Sequence, residues 1–220
     1  MKTWKVIFAF FVLSAIAISP YMRSLSDNFV YWMGFFVYLF AGILTFVEGR
    51  YFERFWALGF FSLSLYSAIN SLQIPLSFYY LGDFLYFTSY ILFMLGTFSY
   101  LWKEGYRTYP ILMVILLLIS PFLSYALVNF SEVDPTKRLS MFFNFEYVIL
   151  GILNTLFTLP PATLDRAWAI RLLAFGIHGV SEIWFILYGF TPTYISMSWL
   201  TPLIIAILTQ RADVKMYYRT

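Results

Sequence analysis

The sequence has no cysteine among its 220 residues, only one histidine, and little charge. Without thiols the chain can form no disulfide, no thiolate metal site and no cysteine nucleophile. A single histidine excludes paired-histidine metal motifs such as HExxH. Charged residues make up 11% of the chain, whereas a soluble globular domain carries about 25%. These shortages exclude an ordinary soluble domain.

Other chemistries are excluded by missing motifs. The chain has no glycine-rich phosphate loop and no GxSxG nucleophile motif. Its basic residues are spread along the sequence and form no concentrated patch, so nucleic-acid binding has no support.

Apolar residues dominate the sequence, at 61% of the chain, with a mean hydropathy of +0.77. Aromatic residues reach 23%, which suits apolar bulk and interfacial anchoring in a membrane. Apolar segments of membrane length occur at 4–20, 28–47, 54–72, 78–102, 109–130, 139–159, 167–190 and 193–210. We therefore predict an all-α, polytopic integral membrane protein with eight transmembrane helices and the lipid bilayer as its main partner.

The placement of charge supports eight spans and predicts their orientation. With eight spans, all of the 14 Lys and Arg residues except Arg23, Lys137 and Arg138 lie on one side of the membrane. The positive-inside rule assigns that side to the cytoplasm. The sequence predicts a multi-pass protein of the cell membrane, with cytoplasmic N- and C-termini. We expect one transmembrane domain over residues 1–220, ending in a short cytoplasmic tail at 211–220.

Short motifs recur in the same order in the two halves of the chain. The pairs are residues 18–21 (ISPY) and 119–122 (ISPF), 42–44 and 151–153 (GIL in both), and 53–58 (ERFWAL) and 165–170 (DRAWAI). Four spans per unit would preserve orientation, so the pattern indicates a parallel 4+4 internal repeat with halves 1–107 and 108–210. Parallel repeats of this kind are known from transporters.

The segment at 167–190 is apolar enough to span a membrane, yet it contains the only histidine, His178, and a carboxylate, Glu182. A spacing of four residues places both side chains on one helix face. Ionisable groups at membrane depth usually face a protein interior or a water-filled cavity. Arg171 lies two turns earlier on the same face and can snorkel to the interface.

Two further acidic residues, Asp83 and Glu146, lie inside predicted spans. At about 1.5 Å per residue, both share a depth with Glu182 in the outer half of the bilayer, as does Asn70. If their helices adjoin, these residues line a polar pocket that opens outward. The predicted ligand-binding residues are Asp83, Glu146, His178, Glu182 and Asn70.

Three interpretations of this polar centre stay open. The side chains can hydrogen-bond to neighbouring helices as structural glue, they can recognise a solute or signal, or they can form a metal or catalytic site. In the last case His178 and Glu182 would hold a divalent metal. No other cofactor is expected.

Residues 56–59 (WALG), 82–86 (GDFLY) and 89–96 (SYILFMLG) resemble the helix 3–4 region of multi-helix membrane sensor modules. In prokaryotes, archaea included, such modules precede histidine kinase or cyclase output domains. The resemblance implies a membrane input module. Because this chain carries no output domain, its signal would pass through a partner in the cytoplasm or the membrane.

The Gly-Asp at 82–83 is also similar to a helix start in the eight-helix lysoplasmalogenase-like family. That resemblance implies hydrolysis of a lipid vinyl ether, with Asp83 as a candidate catalytic group, joined by His178 if a metal takes part. We favour a sensor-like recognition module that is not an enzyme. A secondary transporter, with or without coupling to protons, and a metal-dependent lipid hydrolase are the alternatives, and the oligomeric state stays open.

Overall fold

The computed structural model describes residues 2–72, 79–131, 134–163 and 165–209. Their regular structure is helical throughout, with one 3₁₀ turn, Pro135–Lys137. The α-helices are α1 Lys2–Leu25, α2 Asp27–Glu48, α3 Glu53–Ser71, α4 Tyr79–Lys103, α5 Thr108–Phe130, α6 Arg138–Ala162, α7 Arg166–Tyr188 and α8 Pro192–Leu208. The all-α prediction is confirmed. The predicted tail at 211–220 lies outside the described residues.

Six of these helices, α1, α2 and α4–α7, are long and apolar enough to cross a membrane. The chain is therefore a multi-pass membrane protein by the length and composition of its helices. Two helices, α3 and α8, do not reach the length or hydropathy that a typical membrane span has. Helix α8 has only 17 residues, and the 19-residue α3 contains Ser62, Ser64, Ser67 and Asn70, which lower its hydropathy. The count of eight spans therefore stays a prediction.

The chain divides into two compact units. The first comprises Met1–Gly96 and Trp199–Thr220, and the second comprises Thr97–Ser198. Both boundaries fall inside a helix, one near the end of α4 and the other within α8. The predicted single domain with halves at 1–107 and 108–210 stays a prediction.

In the first unit, α2 packs on α1 and on α3, and hydrogen bonds join α3 to α4. The indole Nε1 of Trp56 donates to the carbonyl of Phe93 (2.9 Å), and the hydroxyl of Ser62 donates to that of Leu85 (2.7 Å). A Cβ on Gly59 would lie 2.5 Å from a ring carbon of Phe93. This glycine lets the two helices approach closely, as small residues do in membrane bundles.

In the second unit, α6 packs between α5 and α7. Two glycines meet where α6 and α7 cross, and a Cβ on Gly179 would lie 3.2 Å from the carbonyl carbon of Gly151. Gly176 has more room, with a Cβ distance of 3.7 Å to Thr155 Cγ2. Of the two glycines, only Gly179 is needed for the close approach of α6 and α7.

Two helices each contain a buried serine followed by a proline. Proline lacks an N–H group, so Pro20 leaves the carbonyl of Ile16 without its helical donor. The hydroxyl of Ser19 donates to that carbonyl instead, at 2.9 Å. The same arrangement recurs in α5, where Ser120 precedes Pro121 and its hydroxyl lies 3.0 Å from the carbonyl of Leu117.

Polar side chains begin several helices. Ser26 accepts a hydrogen bond from the N–H of Asn28 at the start of α2, and Asp165 accepts one from Ala167 at the start of α7. Asp134 caps the 3₁₀ turn in the same way. The backbone N–H of Thr136, joined by its hydroxyl, holds the pKa of the exposed Asp134 below its usual value.

Candidate intramembrane polar site

The ionisable side chains of α7 lie on one buried stripe of the helix. Arg171, His178 and Glu182 are 2%, 2% and 3% exposed. Their spacings of seven and four residues keep them on one face of α7. The predicted shared face of His178 and Glu182 is therefore buried inside the protein rather than turned toward lipid. Burial of three ionisable groups on one membrane helix is unusual and indicates a candidate functional site.

Arg171 does not reach out to solvent, contrary to the expectation that it would snorkel. Its guanidinium carbon lies 5.2 Å from the ring centre of Trp168, which is also fully buried. A guanidinium over an indole face gains a cation–π attraction that strengthens when water is excluded. Tyr100 packs on the same indole, with 4.4 Å between ring centres. The aromatic residues thus hold Arg171 inside the second unit.

Glu182 and Glu146 lie at similar depths along the α6–α7 pair. Glu182 follows the Gly151–Gly179 crossing by three residues, or about 4.5 Å along the axis. Since α6 and α7 are consecutive antiparallel helices, Glu146 lies on the same side of that crossing, five residues or about 7.5 Å away. His178 directly precedes the crossing. This part of the predicted layer is consistent with the geometry.

Two serines of α5 lie within hydrogen-bond distance of the carboxyl group of Glu146. The hydroxyls of Ser120 and Ser124 lie 2.6 Å from its Oε1 and Oε2, respectively. Both serines are fully buried and Glu146 is 1% exposed. With both oxygens engaged, the carboxyl joins α5 to α6, as expected of structural glue. Sequence reasoning missed these partners, although two serines one turn apart beside Pro121 in an apolar helix were a signal.

Asp83 and Asn70 belong to the first unit. The side-chain amide of Asn70 donates to the carbonyl of Tyr66, at 2.9 Å. A Cβ on Gly82 would lie 3.6 Å from Nδ2 of Asn70, so Asn70 faces the turn of α4 that carries the half-buried Asp83. The ring of Tyr66 lies beside the same Cβ position, at 3.6 Å, and packs on the ring of Tyr86, with 4.7 Å between their centres.

Two groups of predicted site residues therefore emerge, Asn70 with the Asp83 turn in one unit and His178 with Glu182 on α7 in the other. A single pocket formed by all of them stays a prediction.

Within the part of the chain that the structure describes, no group of three or more His, Asp or Glu side chains is arranged to hold a metal ion. His178 and Glu182 thus gain no third imidazole or carboxylate ligand there. Three or more ligands from the protein are usual for zinc. The predicted metal at this pair stays a prediction.

Comparison of the chain with protein-family models, with curated proteins and with solved structures finds no match. The resemblances to membrane sensor modules and to the lysoplasmalogenase-like family therefore stay predictions.

Proposed function

We propose that the chain is a multi-pass membrane recognition module of the sensor type, with eight spans and cytoplasmic termini. Its recognition site is the buried stripe of α7, where His178 and Glu182 bind a small cationic solute or a metal ion from the outer side of the membrane. The observation that carries the proposal is the burial of Arg171, His178 and Glu182 on one face of a membrane-length helix. Such groups are costly in a bilayer and commonly serve function.

The geometry of Glu146 refines the proposed site. Because the hydroxyls of Ser120 and Ser124 lie within hydrogen-bond distance of its two oxygens, Glu146 links α5 to α6, and its role as a ligand stays a prediction. Recognition then depends on His178 and Glu182, while Asp83 and Asn70 remain predicted ligands of the first unit. A signal from α7 would reach a partner protein in the cytoplasm or the membrane.

The test is ligand-dependent thermal stabilisation of the detergent-purified protein. The probes are Zn²⁺, Ca²⁺ and a panel of small amines, and we expect at least one to raise the Tm of the wild type. Glu182→Gln removes the negative charge while keeping the shape, so it should abolish that rise. The control is Glu104→Gln, which alters an exposed carboxylate between α4 and α5. Equal stabilisation of wild type and Glu182→Gln would contradict the proposal.

A secondary transporter is the second candidate, and one observation favours it. Ser19 and Ser120 perform the same task before Pro20 and Pro121 at matching places in the two halves. This agreement supports the parallel 4+4 repeat, a transporter device. The test is uptake of the stabilising solute into proteoliposomes, with and without a proton gradient. Uptake that Glu182→Gln abolishes would favour a carrier, and binding without uptake would favour a sensor.

A further inference from the structure

A groove of about 560 Å³ lies between α1 and α2 in the first unit, far along the chain from the α7 stripe. Its walls include Trp4, Ile7 and Phe11 of α1 and Phe40 and Val47 of α2, and Glu48 is the charged residue of its lining. Its volume falls in the range of ligand pockets, about 300–1,000 Å³. Trp4 and Val47 are 64% and 61% exposed, so the groove is open along its side.

The polar end of the groove is a carboxylate with one oxygen satisfied. Glu48 is 6% exposed, and its Oε2 lies 2.9 Å from the ammonium of Lys5. The other oxygen, Oε1, is buried and has no hydrogen-bond partner among the described residues. A buried acceptor without a donor is uncommon in native proteins. A hydrogen-bond donor from outside the described part of the chain would satisfy this oxygen.

Lys5 cannot supply that donor, because an ammonium has three hydrogens and each has an acceptor already. Besides Glu48, Lys5 donates to the carbonyl of Ile207, at 3.1 Å, and to that of Thr209. These two carbonyls belong to the C-terminal end of α8, where a cation is favoured. The lysine is thus fixed in place, and it leaves Oε1 of Glu48 for a second hydrogen-bond donor.

The depth of the groove matches that of a lipid. Lys5 lies in the first turn of α1 and Glu48 is the last residue of α2, so the carboxylate lies at the end of both helices, where head groups lie. Phe11 is six residues farther along α1, about 9 Å deeper. An amphiphile with its head at Glu48 would place an acyl chain along the apolar walls.

We propose that this groove binds a bilayer phospholipid whose head group carries a primary ammonium, such as an ethanolamine lipid. The ammonium donates a hydrogen bond to Oε1 of Glu48, and one acyl chain fills the space between α1 and α2. A choline head group has no N–H to donate and fits less well. The lipid's own phosphate keeps it neutral overall, so it adds no net charge to the Lys5–Glu48 pair.

The experiment measures which lipid stays bound during purification. Membranes with equal amounts of dioleoyl phosphatidylethanolamine and dioleoyl phosphatidylcholine are solubilised, and the lipids retained by the protein are counted by native mass spectrometry. These lipids differ only in three N-methyl groups. We expect the wild type to retain the ethanolamine lipid about tenfold over the choline lipid, because a hydrogen bond to a charged group has about that effect.

Two variants separate the head-group contact from the groove. In Glu48→Gln the amide oxygen accepts from Lys5 and the amide NH₂ points into the groove, where it offers a donor instead of an acceptor. The ethanolamine preference should then vanish. Ile43→Trp narrows the groove, which Ile43 lines, and leaves Glu48 intact. It should reduce retention of both lipids, and Glu104→Gln should behave as wild type.

Equal retention of the two lipids by the wild type would overturn the proposal. That result would show that no lipid ammonium supplies the hydrogen bond to Oε1 of Glu48. A preference that persists unchanged in Glu48→Gln would also overturn it. Neither result bears on the α7 site, which has its own probes and its own variant.

Discussion

Ser120 and Glu146 lie 2.6 Å apart, oxygen to oxygen, across the interface of α5 and α6. The same serine hydroxyl lies 3.0 Å from the carbonyl of Leu117, which Pro121 deprives of its helical N–H. A hydroxyl has one proton and therefore donates to one of these two acceptors at a time. A side chain at position 146 that can donate a hydrogen bond to Ser120, as well as accept one, would therefore suit this interface.

Glutamine at position 146 meets this requirement. In Glu146→Gln the amide NH₂ donates to Ser120, which releases the serine proton for Leu117, while the amide oxygen accepts from Ser124. We expect thermal stability in detergent within about 1 kcal/mol of wild type, since every hydrogen bond is retained. Glu146→Leu should lose about 1–3 kcal/mol, because it leaves the buried serines without this partner. A leucine variant as stable as the glutamine variant would contradict the role of Glu146 as a link between helices.

The close contact of α6 and α7 gives a matched pair of glycine variants. Gly179→Ala places a methyl group 3.2 Å from the backbone of Gly151, and a backbone atom cannot move without separating the helices. We expect a loss of about 1–3 kcal/mol, as for other overpacked cores. Gly176→Ala meets only a methyl group at 3.7 Å, so it should be neutral or stabilising, since alanine is the better helix former.

Thermal melts of the two variants check this prediction. Equal changes of stability in the two variants would contradict the close contact between Gly179 and Gly151.

Ser19 and Pro20 should behave as a coupled pair. Ser19→Ala removes the donor to the carbonyl of Ile16, and we expect a loss of about 1–3 kcal/mol. Pro20→Ala restores a backbone N–H at the same place, so the double variant should be more stable than the sum of the two single effects. A double-mutant cycle of melting free energies measures the coupling. Additive effects would contradict the substitution of the hydroxyl for the missing N–H.

Much of the fold could be predicted from hydropathy, because each long apolar segment must form a helix to satisfy its backbone in a bilayer. All eight α-helices lie where the apolar segments are. Whether α3 crosses the membrane could not be predicted equally well, because mean hydropathy averages over all faces of a helix. Its serines Ser62 and Ser64 donate inward to carbonyls of α4 and α2, respectively, and are not exposed to lipid.

The site was predictable only in part, for a similar reason. The rise per residue was enough to assign Glu146 and Glu182 similar depths. It could not identify Ser120 and Ser124 as partners of Glu146, because that pairing depends on which face of α5 meets α6. Likewise, the spacing placed Arg171 on the stripe of His178, but its burial beside Trp168 follows from packing.

The orientation of α3 is the decisive test of the eight-span prediction, and the absence of cysteine makes the chain a ready background for it. Tyr51 precedes α3 and Leu72 follows it, and both side chains are exposed, at 41% and 59%. If α3 crosses the membrane with cytoplasmic termini, Tyr51→Cys lies inside and Leu72→Cys outside. Glu104→Cys and Asp134→Cys, on either side of the strongly apolar α5, provide the reference pair.

A membrane-impermeant maleimide applied to intact cells measures the outcome. We expect it to label Leu72→Cys and Asp134→Cys directly, and to label Tyr51→Cys and Glu104→Cys only after permeabilisation. Labelling of Tyr51→Cys and Leu72→Cys from one side would mean that α3 enters the bilayer without crossing it. The basic residues on its two sides would then no longer divide as the positive-inside rule requires. A reversed pattern at all four positions would keep the eight spans and invert the protein, which would move the α7 carboxylate to the inner half of the membrane.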